Sequence, residues 1–428
     1  MIPSGRWGDS FEGQKSPVVK ILEVVLTFSR HFRFLLLPLV PVYRMAAALD
    51  AFLHSSGSKR VRKLRWPVIS VGNLSTGGLG KTPLAITLAR ELTARRLLVD
   101  VLSRGYGRES RVAARVKPDG SSAEFGDEPL LIAQQAGVPV YVAAERFEAG
   151  KMAETDAEAA LRTIAAEGRA AGDATRPGAP MEQTQELEPA PESESELMPE
   201  SDPASEMDET PVAPLQSQPP RKPILPVHLL DDGFQHRQLA RDIDILLLNQ
   251  EDWLDRLLPA GNLREPRDAA RRATVIAVPA DEPELEVALH LWGWNGPLWR
   301  LHRKMKIAPV KGRVVAFCGI ARPAQFFSGL EAAGIKLAFK LAFGDHCVYT
   351  PGLLKEVLHQ AEECRAAAFV TTDKDMIRLG RMTSLFPASI PLLTARLTVE
   401  IEDQAAAIDW LEARIRSSSQ SQLPHSPL

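Results

Sequence analysis

At 428 residues the chain has room for two or three domains, and its composition, 45% hydrophobic and 25% charged, is that of an ordinary soluble globular protein. The formal net charge of −3 argues against a general nucleic-acid binder. The three cysteines, Cys318, Cys347 and Cys364, include no C-x-x-C pair, which disfavours a structural zinc site or a disulfide framework and indicates a reducing cytosol.

The first predicted feature along the chain is a membrane-associated amphipathic segment. Residues 21–42 are rich in Leu, Val and Phe, but Asp9 and Glu12 precede them, unlike in a secretory leader. A spanning helix needs about 20 apolar residues, and charged residues interrupt this stretch, so we expect it to lie in the membrane interface. Pro38 and Pro41 predict two short helical pieces.

A basic run follows at residues 59–65, with five cations in seven residues. Next to a membrane, each such cation contributes about 1 kcal/mol of attraction to anionic lipid. The run therefore supports peripheral (monotopic) binding to an anionic membrane surface. A buried helical hairpin followed by a solvated basic loop is the alternative.

The strongest signal is a glycine-rich loop between an apolar strand at 68–71 and a helical pattern at 84–92. Strand, glycine loop, Lys-Thr and helix in this order are typical of a phosphate-binding loop, in which Lys81 contacts the β- and γ-phosphates and Thr82 holds Mg²⁺. Ser75 stands where the general pattern has its first Gly, and a glycine-rich turn that binds nothing is the alternative. The predicted nucleotide-binding residues are Ser75, Thr76, Gly77, Gly78, Leu79, Gly80, Lys81 and Thr82.

Two further predicted strands end in polar motifs. The strand at 227–230 ends at Asp231 and Asp232, and such a carboxylate is required to meet the Mg²⁺ held by the loop threonine. The strand at 97–102 runs into SRGYGR, where Arg104 and Tyr106 can contact a phosphate or a sugar. An ordinary turn explains SRGYGR equally well.

Three weaker motifs complete the set. Asp127, in GDEP, precedes a helix and could act only as its N-cap. The loop LPAGNLREP places Arg264 beside Glu265. Asp345 adjoins His346 in GDHCVY, although a lone histidine is more often structural than catalytic.

Residues 171–223 contain twelve acidic and three basic residues and no aromatic one. Such a segment buries too little apolar surface to offset its ordering entropy, which predicts a disordered insertion that is either a solvated spacer or a partner-binding region. The remaining strands and helices alternate, which predicts an α/β fold with a P-loop NTPase-like, doubly wound parallel sheet. The predicted parts are a membrane-associated segment (1–65), a P-loop core in two pieces (66–170 and 224–305), the insertion (171–223), a second, smaller α/β lobe (306–412) and a disordered tail (413–428).

The motifs VGNLSTGGLGKTP, SRGYGR, GDEP, LDDGFQHR, LPAGNLREP and GDHCVY occur in the order found in tetraacyldisaccharide 4′-kinases, the lipid A 4′-kinases. The chain resembles this family from about residue 18 to residue 411, with the acidic insertion as an extra. One departure is Cys347, because the family usually has the second His of Asp-His-His there.

This resemblance implies that ATP, with Mg²⁺, phosphorylates the 4′-hydroxyl of a tetraacylated glucosamine disaccharide 1-phosphate, giving lipid IVA at the cytoplasmic face of the bacterial inner membrane. We expect a monomer. By the same resemblance, Asp127 is the base, His346 its partner and Asp345 the group that orients the imidazole, while Arg264 stabilises charge. The implied metal residues are Thr82, Asp231, Asp232 and Glu265, and the implied substrate residues are Asn73, Arg104, Tyr106, Gln235 and His236.

Two other classes of protein remain open. One is an ATPase switch of the partitioning or targeting class, but Thr76 stands near the loop start where those proteins have a signature lysine. The TDKD sequence at 372–375 also misses the element of GTP-specific proteins. The other class is a membrane-associated scaffold with a degenerate nucleotide site, which the intact Lys81 and Asp231 oppose.

Overall fold

The computed structural model describes residues 30–56, 60–174 and 225–420. The chain forms two compact units, one made of Met1–Asp156 and Ile224–Leu428 and the other of Ala157–Pro223. The predicted disordered insertion lies outside the described residues from 175 onward, and its first residues continue the helix Arg146–Ala174. All the motifs discussed above belong to the first unit.

The N-terminal segment consists of a 3₁₀ helix, Arg30–Leu39, and a helix α1, Val40–Ser55. The two predicted helical pieces are present, but Pro38 does not break the chain of turns, because it lies inside the 3₁₀ helix. Pro41 occupies the first turn of α1, where its missing N–H is not needed. The expected end of the helical segment at residue 42 was wrong. The helix continues because the following MAAAL sequence is made of strong helix formers.

The first unit is built on twelve strands with helices between them. The strands are β1 (Val68–Asn73), β2 (Leu98–Ser103), β3 (Ala114–Arg115), β4 (Val140–Val142), β5 (Pro226–Asp231), β6 (Ile243–Leu247), β7 (Val275–Pro279), β8 (Leu298–Lys306), β9 (Arg313–Cys318), β10 (Lys336–Ala342), β11 (Ala368–Thr372) and β12 (Leu392–Ile401). The helices after α1 are α2 (Lys81–Ala94), α3 (Ser122–Phe125), α4 (Asp127–Ala136), α5 (Arg146–Ala174), α6 (Gln250–Leu254), α7 (Pro283–Leu291), α8 (Pro323–Ala332), α9 (Pro351–Glu363), α10 (Asp373–Leu379) and α11 (Gln404–Gln420), with further 3₁₀ turns at Arg267–Arg272 and Gly380–Leu385.

The strands form one sheet in the order β10-β9-β11-β12-β8-β7-β6-β1-β5-β2-β4-β3. Pairing is parallel except at β3–β4 and β8–β12. The central strands are buried along their length, as expected where helices cover both faces. The predicted P-loop-like α/β fold is therefore confirmed, and the antiparallel β8–β12 pair joins its sheet to the second α/β lobe formed by β9 to β12.

The predicted strands at 68–71, 97–102 and 227–230 correspond to β1, β2 and β5, whereas no continuous apolar run marks β3, β8 or β10. β8 reads LWRLHRKMK and β10 reads KLAFKLA, so charged residues interrupt their apolar pattern. Both strands leave part of their length exposed, which is why no continuous apolar run marks them.

The prediction of a disordered tail was wrong for residues 413–420. Helix α11 continues to Gln420, and Ile415 is fully buried, because its apolar face packs on the core that includes Leu411. Residues 421–428 lie outside the described part of the chain.

The sheet brings the predicted motifs to one edge. β1 pairs with β5 on one side and β6 on the other, and β5 pairs in turn with β2. The phosphate loop, the Asp231–Asp232 turn and SRGYGR follow the carboxyl ends of β1, β5 and β2, where ligands bind in such sheets.

Candidate active site

The phosphate loop ends at Gly80, whose φ of 93° opens α2 directly at Lys81. The Lys81 Nζ donates to Asn73 Oδ1 at 2.7 Å and lies 2.8 Å from Asp232 Oδ1. Lys81 and Thr82 are both buried. The loop lysine is therefore held between the ends of β1 and β5.

Ser75, the departure from the general loop pattern, anchors the loop. Its hydroxyl donates to Asp252 Oδ2 at 2.5 Å and accepts from Asn73 Nδ2 at 3.0 Å. The Arg322 Nη2 donates to the other Asp252 oxygen at 2.5 Å. A chain of hydrogen bonds therefore runs from Arg322, in the second lobe, to Lys81.

Asp231 and Asp232 sit in opposite electrostatic environments. Burial, together with the nearby Glu128 and Asp232 carboxylates, raises the pKa of Asp231 to about 7. Burial would also raise the pKa of Asp232, but Lys81 and Arg264 hold that pKa well below its usual range. The Arg264 Nη1 lies 3.0 Å from Asp232 Oδ2.

One oxygen of Asp231, Oδ1, is buried without a hydrogen-bond partner among the described residues. A buried carboxylate oxygen without a hydrogen-bond partner destabilises a fold unless a ligand or ion binds to it. With the Thr82 hydroxyl, this oxygen supplies the hard donors that Mg²⁺ prefers. The residues present therefore fit the predicted metal.

Glu265, the other predicted metal residue, is engaged elsewhere. Its carboxylate accepts from Arg237 Nη2 at 2.6 Å and from Arg272 Nη1 at 2.8 Å. In the described part of the chain, no three His, Cys, Asp or Glu residues form a metal-binding group. The structure thus does not bring Glu265 together with Asp231 and Asp232.

Gln235 links the loop to Arg264. Its Nε2 donates to the Asn73 carbonyl at 2.8 Å, and its Oε1 accepts from Arg264 Nη1 at 3.1 Å. The Tyr43 hydroxyl of α1 donates to the Arg264 carbonyl at 2.9 Å. The helix predicted to contact the membrane is therefore bonded to a residue of the site.

Asp127 begins α4 and is buried. Its Oδ2 accepts from Arg378 Nε at 2.8 Å and from Arg378 Nη2, and it lies 3.5 Å from His346 Nδ1. Although burial opposes it, the hydrogen bond to His346 and the charge of Arg378 hold the pKa of Asp127 well below its usual range. The predicted pairing of Asp127 with His346 is present, and Arg378 is a third member.

The expectation that Asp345 orients the imidazole was wrong. Its Oδ1 accepts from the backbone N–H of His346 at 3.0 Å, because the turn places His346 at a φ of 55°. The His346 ring faces Asp127 and Arg378 instead, and its hydrogen bond to Asp127 raises the imidazole pKa. Cys347 packs its Cβ against Gly319.

The SRGYGR and GDEP loops meet backbone to backbone. Gly126 has a φ of 87°, and a Cβ there would lie 3.0 Å from the Gly105 Cα, so both positions need glycine. This contact places the Tyr106 ring 5.3 Å from the His346 ring, measured between centroids. The two motifs form one wall of the site.

A cationic pocket of about 260 Å³ adjoins this wall. Burial lowers the pKa of Arg146 to about 10, and its Nε has no hydrogen-bond partner among the described residues. Burial and Arg146 lower the pKa of His236 to about 3, so its imidazole is neutral. The pocket is lined by Asp50, His54, Arg104, Ala144, Arg146, Gln235, His236, Arg237 and Gln238.

Sequence reasoning missed Arg146, Asp252, Arg322, Lys374 and Arg378. Lys374 lies in the TDKD sequence, which was considered only as a failed guanine-specificity element. Arg378 follows one helical turn later, and i, i+4 spacing on a helix could have grouped the two. Nothing in the local sequence indicates what Arg146 or Arg322 contacts.

Comparison with known proteins gives a consistent family. The family model described as tetraacyldisaccharide-1-P 4′-kinase matches residues 32–164 and 216–416. A tetraacyldisaccharide 4′-kinase of Koribacter versatilis is 34% identical over 383 residues, covering 87% of this chain and 96% of that protein. One from Geobacter metallireducens is 31% identical over 360 residues, covering 80% and 87%.

A solved structure agrees with the sequence relatives. LpxK from Aquifex aeolicus, crystallised in complex with ATP, superposes with a TM-score of 0.59 at 27% sequence identity. The superposition covers 90% of this chain and 99% of that one. The chain belongs to the tetraacyldisaccharide 4′-kinase family.

Proposed function

We propose that this kinase transfers the γ-phosphoryl group of ATP to the 4′-hydroxyl of a tetraacylated glucosamine disaccharide 1-phosphate, the reaction for which its family is named. The observation that carries the proposal is the pairing of two separate groups at one sheet edge. One is the phosphate loop with Lys81 already oriented, and the other is the ionised carboxylate of Asp127 beside His346.

On the donor side, the backbone N–H groups at the start of α2 and the Lys81 ammonium bind the phosphates. Thr82 and Asp231 would hold Mg²⁺, which neutralises charge on the β- and γ-phosphates when bound. Asp232 keeps Lys81 in place, and Arg264, bonded to Asp232, stabilises charge on the transferred group. Catalysis of phosphoryl transfer depends mainly on positioning and charge neutralisation, and little on covalent chemistry by the protein.

On the acceptor side, Asp127 accepts the proton that the 4′-hydroxyl loses as the new P–O bond forms. Its low pKa keeps it ionised at neutral pH, and in a loose transition state the proton moves late. The His346 Nδ1 lies 3.5 Å from Asp127 Oδ2. The imidazole can therefore share the proton that the Asp127 carboxylate accepts. Such acid–base groups contribute roughly 10²–10⁴-fold to the rate.

The cationic pocket suits the 1-phosphate of the acceptor. Arg104 and Arg146 supply positive charge, and the neutral His236 can donate one hydrogen bond. Of the other predicted substrate residues, Tyr106 adjoins His346, whereas the Asn73 side chain is occupied by Lys81 and Ser75. Asp50 and His54 of α1 line the same pocket, so the acceptor would enter beside this helix.

We propose that α1 and the 3₁₀ helix before it hold the protein on the cytoplasmic face of the inner membrane. Arg33–His54 is long and apolar enough to cross a membrane by length and composition alone. Two of its side chains nevertheless bond to the body: Tyr43 to Arg264, and Arg33 to Asn262 at 2.7 Å. These bonds favour a segment lying on the surface. Its large apolar side chains are exposed: Phe34, Leu35, Leu37, Leu39, Val42, Met45, Leu49 and Phe52.

Liposome flotation tests this placement. We expect binding to vesicles containing anionic lipid, weakened as salt rises, because attraction between exposed charges is screened over about 8–10 Å at physiological ionic strength. Flotation that resists both high salt and alkaline carbonate would show a spanning helix. No flotation would remove the membrane role altogether.

Product analysis tests the reaction. The protein is incubated with Mg-ATP and the disaccharide 1-phosphate in mixed micelles, and mass spectrometry follows the acceptor. We expect a product heavier by one phosphate and no change in an acceptor that lacks the 4′-hydroxyl. ATP hydrolysis without acceptor phosphorylation would support the alternative of a partitioning or targeting ATPase switch.

A further inference from the structure

A ladder of two ion pairs, one buried and one half-buried, joins the start of α4 to α10. Asp127 pairs with Arg378, and the neighbouring Glu128 pairs with Lys374 at 2.5 Å between Oε1 and Nζ. Lys374 holds the pKa of Glu128 below its usual range. α4 follows the phosphate-loop part of the chain and α10 follows β11 of the second lobe, so the ladder crosses between the two parts of the sheet.

Arg378 is held rigidly on the side away from Asp127. Its Nη1 donates to the Gly319 carbonyl at 2.5 Å and lies 3.2 Å from Asp375 Oδ1. Asp375 is in turn fixed, because it accepts from the Gly319 N–H at 3.0 Å and from the Thr372 hydroxyl at 2.6 Å. The guanidinium plane is thereby set, and its Nε and Nη2 both point at one oxygen of Asp127.

The other oxygen of Asp127, Oδ1, accepts the N–H of Glu128 at 3.0 Å. Both carboxylate oxygens are therefore oriented, one by its own helix and one by α10. A lysine at 378 could not do this, since a point charge does not offer two donors in one plane.

We propose that Arg378 and Lys374 are positioning residues for phosphoryl transfer, which aim the Asp127 carboxylate at the acceptor hydroxyl. The inference rests on the proposed role of Asp127 as the base. It assigns a function to the TDKD sequence and the arginine that follows it: this segment serves the acceptor side of the site rather than recognition of the nucleotide base.

The main test is Arg378→Ala. Misplacement of a catalytic group by about 1 Å costs on the order of 10²-fold, so we expect kcat to fall by that factor while the KM for ATP changes less than about twofold. Added ethylguanidinium should restore part of kcat, and Arg378→Lys should recover less than the added ion does. Arg381→Ala, an exposed position in the next turn, is the matched control and should keep wild-type kcat.

The pH profile gives a second readout. The charged and titratable groups facing Asp127 are Arg378, Lys374 and Asp375 on α10, His346 and Asp345 after β10, and Glu128 on its own helix. Removing the Arg378 charge raises the pKa of both Asp127 and His346, so the acid limb of kcat/KM should move to higher pH. Lys374→Gln should shift it less, because Lys374 contacts Glu128 directly and Asp127 only through space.

The outcomes separate this inference from the proposed function. If Asp127→Asn keeps full activity, the base assignment itself is wrong. If Asp127→Asn is inactive while Arg378→Ala keeps wild-type kcat and pH profile, only the positioning role is overturned. A loss of activity in Arg378→Ala that guanidinium does not restore, with an acid limb unshifted in the same variant, would leave Arg378 as a purely structural residue.

Discussion

The donor and acceptor sides of the site are built in different ways. The donor side comes mostly from one continuous stretch, from Asn73 to Thr82, completed by the turn at Asp231 and Asp232 on the adjacent strand. The acceptor side gathers Asp127, His346 and Arg378 from segments that are far apart in the chain. When neighbouring residues in the sequence form a site, the motif identifies the site. When the fold brings distant residues together, the sequence can indicate single residues but not which of them are in contact.

The two sides also differ electrostatically. Burial and neighbouring carboxylates raise the pKa of Asp231 and outweigh the opposite effect of Lys81 and Lys374. Asp127 has cationic partners already, and its pKa is lowered. Two carboxylates whose environments shift their pKa values in opposite directions are suited to different tasks. This contrast supports our proposal that Asp231 holds the metal and Asp127 accepts the proton.

The largest expected effect is on the donor side. Lys81→Ala or Thr82→Ala should reduce product below detection, because these side chains act on the phosphates and the metal. The fold should survive, since Asp232 keeps its ion pair with Arg264 in Lys81→Ala. Lys311→Ala, at an exposed lysine, is the control. Near-wild-type turnover by either loop variant would break the donor assignment.

The next effect is on the acceptor side. Asp127→Asn and His346→Ala should each lower kcat, by roughly 10²–10⁴-fold for the base. The melting temperature should change little in His346→Ala but fall in Asp127→Asn, which leaves the buried Arg378 without its carboxylate partner. Because the two groups act as a unit, the double variant should lose far less than the product of the single losses. The N-cap of α4 is Gly126, so the expected alternative of Asp127 as the cap was wrong. Normal kcat with a lowered melting temperature would leave Asp127 as a structural partner of Arg378 and His346 as a packing residue.

A smaller effect is expected where the two sides are linked. Ser75→Gly, which restores the general loop pattern, and Asp252→Asn both break the hydrogen-bonded path to Asn73 and Lys81. A bond to a charged group is worth about 1.5–3 kcal/mol, so we expect the KM for ATP to rise about tenfold or more. Glu251→Gln weakens the 3.6 Å contact with Arg322 but leaves every hydrogen bond of the path in place, so the KM for ATP should change little. If Ser75→Gly and Asp252→Asn had the same KM for ATP as the Glu251→Gln control, these hydrogen bonds would not position the loop.

The raised pKa of Asp231 predicts a pH-dependent stability without metal or nucleotide. An aspartate whose folded pKa exceeds its unfolded value of 3.8 stabilises the fold below about pH 4 and loses that contribution as pH rises to about 7. Above about pH 7, Asp231→Asn should therefore be inactive but more stable than the wild type, by about a few kcal/mol in the free energy of unfolding. The gap in melting temperature should open between pH 4 and 7 and stay constant above. A variant no more stable than wild type at pH 8, with chelator present, would contradict the buried, unpaired carboxylate.

The smallest expected effect is from the acidic insertion. Its composition offers no core, so replacing residues 175–223 by a short Gly/Ser bridge should leave kcat and melting temperature unchanged. A large drop in melting temperature would show that the segment supports the fold.

The sequence predicted the donor side well because local physics builds it: an apolar strand, glycines with unusual φ values and a helix start lie next to one another. It also identified Asp127 and His346, through their resemblance to family motifs. It failed for Arg378, whose significance depends on a partner 251 positions away. It misassigned Asp345, because the backbone turn at His346, not the residue order, decides which group the carboxylate meets.

Glu265 and the strand β8 illustrate the same limit. A carboxylate beside Arg264 looks available for a metal, but Arg237 and Arg272 surround it in the fold. β8 carries no continuous apolar run, because half-exposed strands are stabilised by their neighbours rather than by their own hydrophobicity.

The division into donor and acceptor sides is tested most directly by measuring the ATP dissociation constant and kcat together for Lys81→Ala and Asp127→Asn. Isothermal titration calorimetry with a non-hydrolysable ATP analogue gives the first quantity, and acceptor phosphorylation gives the second. We predict that Asp127→Asn binds nucleotide within about twofold of wild type but does not transfer phosphate at a useful rate, while Lys81→Ala loses both. Nucleotide binding weakened as much by Asp127→Asn as by Lys81→Ala would contradict the division.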